Sequence, residues 1–158
     1  MPVDTVTLRK AHEDFLSLAG DGGFGPPPAG EWDPARLLAH LIAADASIAS
    51  VALAVAAGQR PAYDNRPSLD DWNLRRIAAA ADGLPGLVRL LRQYGELLCA
   101  VAEPLSDQDL AVQVPVLIIS KDQVVVGQPQ PLRWLIESVA EAHLPLHAIQ
   151  LRGLRPSN

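Results

Sequence analysis

Residues 33–57, "DPARLLAHLIAADASIASVALAVAA", constrain the fold more than any other stretch of the chain. Asp33 is an N-cap type followed by proline at the first helical position, where its missing N–H costs nothing. Gly58 supplies the stop. A helix apolar on most of its circumference must be surrounded on most of its circumference, so this segment predicts a central element with other helices packed around it. His40 and Asp45 interrupt the run, which is rich in Ala and Ser and reads as a core helix, not a membrane span.

The rest of the sequence supports helices packed on helices. Ala and Leu dominate a composition that is 49% hydrophobic, and aromatics reach only 4%, too few for a sandwich. At 158 residues the chain is long enough for one core, read as a single domain over 1–158. A first helix is expected from about Asp4 to Leu18, ended by "GDGGFGPPPAG", a connector that could act as a lid. Residues 59–67 read as a loop, after which Ser68 with Asp71 resembles a capping box. Trp72 and Asn73 begin a short helix there, read chiefly as packing residues, with the mouth of a pocket as the alternative; a longer stretch follows to about Glu103, and the sequence leaves open one kinked helix or two. "VQVPVLIIS", "KD" and "QVVVGQ" switch to β-branched runs about a two-residue polar turn, which predicts a hairpin. Pro115 would place its strand at an edge. The last helix opens at Pro131, and its apolar period runs straight through Pro145, which predicts a kink in a continuous helix. The expected architecture is an all-α bundle of four main helices with a small hairpin before the last.

Net charge is −5 and Lys/Arg do not cluster, which argues against nucleic acid and anionic membranes as partners. The lone Cys99 excludes an internal disulfide framework, suits a cytoplasmic setting and reads as a core residue. The N-terminus carries no signal-peptide pattern. There is no GxSxG elbow, P-loop, GxGxxG or CxxC.

The chemistry rests on histidines. His12 follows Arg9 and Lys10 and reads as solvated. His40, His143 and His147 instead lie on apolar helix faces. In "HLPLH" (143–147) the two imidazoles project from successive turns, with Cβ atoms about 5–6 Å apart. Two such nitrogens can reach one metal ion, and His40 on a facing helix would complete a three-His site with an open position. Three buried imidazoles each need a partner, and one shared ion satisfies them together. Gln150, on the face of His147, is placed to bond a histidine nitrogen or a metal-bound ligand. Trp32 reads as a staple for the second helix.

These residues resemble a family. "GEWDPARLLAHL" is similar to the second helix of the DinB/YfiT-like proteins, and "HLPLHAIQLRGL" to their final helix. "DDWNLRRIAAA" and "EPLSDQDL" resemble the mycothiol-dependent maleylpyruvate isomerase branch. The resemblance implies a bundle of up-down-down-up order, frequently a homodimer. It also implies a divalent metal, zinc or nickel, on the equivalents of His40, His143 and His147, and work with a low-molecular-weight thiol such as mycothiol or bacillithiol. Residues 1–158 resemble only the first domain of the isomerase, so maleylpyruvate isomerisation itself is not the expected reaction.

Three neutral imidazoles leave an ion its full charge and favour an anion in the open position, hydroxide or thiolate. Hydroxide chemistry would want a carboxylate base, and Asp45, Glu137 and Glu141 are out of phase with the histidines; only loop residues such as Asp64 or Asp71 could swing in. The preferred reading is therefore a metal-dependent S-transferase that joins an external thiol to a small electrophile. The alternatives are a metal-dependent hydrolase and a non-enzymatic metal- or partner-binding bundle.

Overall fold

The computed structural model describes residues 1–157. Helix α1 spans Thr5–Asp21, with the Asp4 carboxylate accepting the Thr7 N–H at 3.0 Å. Helix α2 spans Pro34–Ala56 and opens as its sequence demands, Asp33 accepting the Arg36 N–H at 2.8 Å. Its apolar circumference is covered by α3 (Asp71–Ala80), by α4 (Gly83–Ala102) and by the last helical segment, while α1 packs on α4 and the last helix and reaches α2 through His12 and Asp45. By length and composition α2 could cross a bilayer, yet two thirds of its most apolar window is buried inside the protein.

A clean four-helix bundle is not what the chain forms. Residues 71–102 make two helices, because Ala81 is extended and Gly83 takes a positive φ of 65°. More importantly, residues 59–67 are not merely a loop. They supply β1 (Tyr63–Asp64), which pairs in parallel with β3 (Val116–Ser120), and β3 pairs antiparallel with β4 (Gln123–Val126). The expected hairpin therefore supplies two strands of a three-stranded mixed sheet. A second ribbon joins β2 (Gln113–Val114) to β5 (Gln130–Pro131), and a four-residue helix α5 (Asp107–Leu110) precedes it. Sequence periodicity misses β1 because a two-residue strand has no period; the long-range pairing alone makes it a strand.

Pro115 corrects the same expectation. It stands in the one-residue gap between β2 and β3, and β3 is the middle strand. Its absent N–H is not needed there, while its carbonyl accepts the Tyr63 N–H at 2.9 Å. The Lys121–Asp122 turn is as the sequence suggests, with both residues at positive φ, 48° and 60°, as a two-residue hairpin requires. Ser68 does not cap α3. Asp70 does, accepting the Asn73 N–H at 2.9 Å, and Ser68 sits in a 3₁₀ turn over Arg66–Ser68.

The final helix does continue across Pro145. Helix α6 (Leu132–Ser138) passes into one π turn over Val139–His143 and then into α7 (Leu144–Gly153). The Leu144 N–H reaches back five residues to the Val139 carbonyl. The extra residue in that turn lets the chain enter Pro145 without the ring striking the preceding turn. The connector after α1 is tied to the far end of α7, with the Gly25 N–H on the Leu154 carbonyl at 2.8 Å.

Candidate metal centre

Three elements bring three histidines together. His40 comes from the second turn of α2, His143 ends the π turn and His147 lies one turn on in α7. Each offers a ligand nitrogen, and the three nitrogens lie within 4.8 Å of one another. His40 Nε2 and His143 Nε2 stand 2.9 Å apart. For comparison, two nitrogens on one tetrahedral zinc at ordinary bond lengths stand about 3.3 Å apart. The group is close enough to bind a metal ion.

Neighbours fix how two of these rings present themselves. His40 Nδ1–H donates to the Ser68 carbonyl at 2.7 Å. His147 Nδ1–H donates to Gln150 Oε1 at 2.6 Å. A carbonyl oxygen can only accept, so in each ring the proton sits on Nδ1 and the Nε2 lone pair faces the cluster. This is the arrangement by which outer partners orient metal-ligating imidazoles. Gln150 thus bonds a histidine nitrogen, one of the two partners its spacing allowed, and Ser68, read as a cap, turns out to hold His40 by its backbone.

Burial, and after it His147, pushes the His40 imidazole down to about 4. Burial first, then His40, His147 and His12, holds His143 well below the ordinary range. His147 is lowered by burial, with Gln150 opposing. All three are therefore neutral at neutral pH, as ligands must be.

A cavity of about 600 Å³ opens onto the cluster. Its walls are largely apolar, with Trp32, Trp134, Ile118, Val126 and Leu146 among them. Trp32 is therefore more than a staple: its ring lies 5.2 Å from the His40 ring, centre to centre, and forms part of the wall. The β3–β4 hairpin closes one side. It is held there by Asn65, whose side-chain amide donates to the Ile119 carbonyl at 2.9 Å and accepts the Ile119 N–H at 2.8 Å. Pro115 and Leu117 turn their carbonyls toward the β1 side, and Ile119 comes next on that side, past the end of β1, where the Asn65 side chain satisfies its N–H and C=O. Nothing local in the sequence marks Asn65, because its partners lie 54 residues away.

The carboxylates weighed from the sequence are engaged elsewhere. Asp64 pairs with Arg66 at 2.6 Å, Asp71 with Arg36 and Arg75, and Glu137 with Arg133 at 3.3 Å. Glu141 is exposed and does not line the cavity. Glu31 is the carboxylate that does. Trp72 and Asn73 line a separate shallow depression; Trp72 is 64% exposed under the Arg76 guanidinium, so neither the packing reading nor the pocket-mouth reading holds for it. Cys99 is fully buried, and burial pushes its thiol up to about 11, so it supplies no nucleophile.

His12 overturns its sequence reading. It is buried, with Nδ1–H on the Leu8 carbonyl at 3.0 Å and Nε2 on Asp45 Oδ2 at 2.8 Å. Arg9 and Lys10 point outward, but His12 faces α2 and α4. Its ring lies over Gly95, where any side chain would collide with it. Burial pushes Asp45 up against the opposing pull of His12. Burial alone would lower His12, but the hydrogen bond and charge of Asp45, with the Leu8 carbonyl, leave it raised. The pair keeps its shared proton and is neutral as a unit.

Comparison with protein-family models, curated proteins and solved structures returns no match. The site must be argued from its own geometry.

Proposed function

We propose that the protein is a divalent-metal-dependent enzyme in which His40, His143 and His147 hold the ion and an external thiol is the nucleophile toward a small electrophile. The observation that carries this reading is the junction of the three neutral imidazoles with an apolar cavity. A structural metal is typically closed off by its ligands, whereas catalytic sites keep a position open to a pocket. The ion, zinc or nickel when bound, would supply a depressed thiol pKa and a fixed sulfur position.

The chain's own residues do the rest. Ser68 and Gln150 hold two rings in the ligating tautomer. The tryptophan and aliphatic walls exclude water from a thiolate and bind the electrophile beside it. A thiolate needs no base on the protein, which agrees with the pairing of Asp64, Asp71 and Glu137 to arginines. The likeness of "GEWDPARLLAHL" and "HLPLHAIQLRGL" to DinB/YfiT-like sequences supports the same ligand set. A hydrolase is the second reading, favoured by Glu31 at the cavity.

The test is consumption of a chromogenic electrophile such as chlorodinitrobenzene by zinc- or nickel-loaded protein, with mycothiol, bacillithiol or no thiol. Turnover that requires both thiol and metal and disappears in His147→Ala supports the proposal. Metal-dependent hydrolysis without thiol would replace it with the second reading.

A further inference from the structure

The tip of the β3–β4 hairpin carries a residue that the turn itself does not want. Both turn positions stand in the left-handed region, Lys121 at φ 48° and Asp122 at φ 60°. Asn, Asp and Gly fill such positions at little cost, and Asp122 conforms. Lys121 does not: a long side chain with an ordinary Cβ is disfavoured there. What lysine supplies and those residues lack is a long cation. Lys121 is the one Lys or Arg among the residues that line the cavity; among the described residues it has no carboxylate partner, whereas Lys10, the other lysine, pairs with Asp14. A locally unfavourable residue placed at a cavity points to use of its side chain.

We propose that the cavity takes an amphipathic organic anion. Its aliphatic or aromatic body lies against Trp32, Trp134, Ile118 and Val126, and its single anionic group, a carboxylate or an equivalent oxyanion, pairs with the Lys121 ammonium. This names the substrate class of the site above and rests on the reading of that cavity as the substrate site. Glu31 is the opposing charge at the same cavity and disfavours a second anionic group on the ligand. A volume of about 600 Å³ suits a small molecule, within the range of about 300–1,000 Å³ common for such sites.

The experiment is calorimetric titration of the full chain with octanoate, octanol and octylamine, in chelator-treated and zinc-loaded protein, for wild type, Lys121→Gln and Lys121→Asn. Octanoate is expected to bind wild type about three- to fivefold more tightly than octanol, the worth of one rim ion pair. The preference appears with and without zinc and vanishes in both variants. Lys121→Asn also raises Tm by a few degrees, because asparagine suits the turn. Equal binding of octanoate and octanol, tighter binding of octylamine, a preference that survives Lys121→Gln, or no binding of any probe would overturn the proposal. A carboxylate preference confined to zinc-loaded protein and indifferent to Lys121→Gln would assign the anion to the ion, refuting Lys121 while supporting the metal site. A Lys121-dependent preference in protein that takes up no zinc would do the reverse.

Discussion

Replacing Gly95 by alanine should destabilise the protein, against the usual rule for a helix interior. Gly95 sits in the middle of α4, where Gly→Ala ordinarily gains about 1 kcal/mol. Here the added Cβ would stand 2.5 Å from His12 Cδ2 and 2.9 Å from Cγ and Nε2. Carbon atoms prefer about 3.5–4.0 Å, so the ring would have to retreat by roughly 1 Å. It cannot do so freely, being held at Nδ1 by the Leu8 carbonyl and at Nε2 by Asp45. Moving it breaks a buried charged hydrogen bond, and breaking such a pair costs about 3–5 kcal/mol. Set against the helix gain, the net loss is about 2–4 kcal/mol. Urea unfolding of Gly95→Ala, His12→Ala and the double variant measures it. In the His12→Ala background the ring is gone, and Gly95→Ala should become neutral or stabilising. A loss below about 0.5 kcal/mol in wild type, or an undiminished loss without the ring, would refute the reasoning.

Two further outcomes follow from the hydrogen bonds of the buried histidines. His12 has a folded pKa raised above its unfolded value near 6.5, so its contribution to stability is full below about pH 6.5 and is lost as pH rises through the folded value. In Asp45→Asn burial, the largest influence on His12, is opposed only by the Leu8 carbonyl and Glu96, so the folded pKa falls and the slope reverses, with stability lost on going below about pH 6.5; urea midpoints between pH 5 and 9 read both slopes. Gln150→Leu removes the acceptor for His147 Nδ1–H and should weaken zinc affinity about 10–100-fold in competition with a chromogenic chelator, with little change in Tm.

The parts of this molecule that were legible in the sequence are those set by local spacing. Asp33-Pro34 announces α2, and the i, i+4 pair His143 and His147 announces one face of a helix. That His40 joins them follows from α2 having to be central. The errors fall where tertiary contact decides. His12 looks solvated because its sequence neighbours are charged, yet helical phase turns it toward Asp45 on α2 and Gly95 on α4. Tyr63–Asp64 becomes a strand only because Val116 and Leu117 come to lie beside it. Asn65 matters only because Ile119, 54 residues away, presents its amide and carbonyl just past the end of β1. Pro145 shows the intermediate case, since its position predicts a disturbed helix but not that the disturbance is a π turn ending at a candidate ligand.

The central claim is that His40, His143 and His147 form one metal site. Elemental mass spectrometry on tag-free protein, purified without chelator, tests it most directly, with His40→Ala and His147→Ala in parallel and circular dichroism to verify their folding. The account predicts a stoichiometric divalent ion in wild type and its loss from both folded variants. Absence of metal from wild type even after reconstitution with zinc, nickel and manganese would contradict it, and would leave the three imidazoles as buried polar residues satisfied by one another, Ser68 and Gln150.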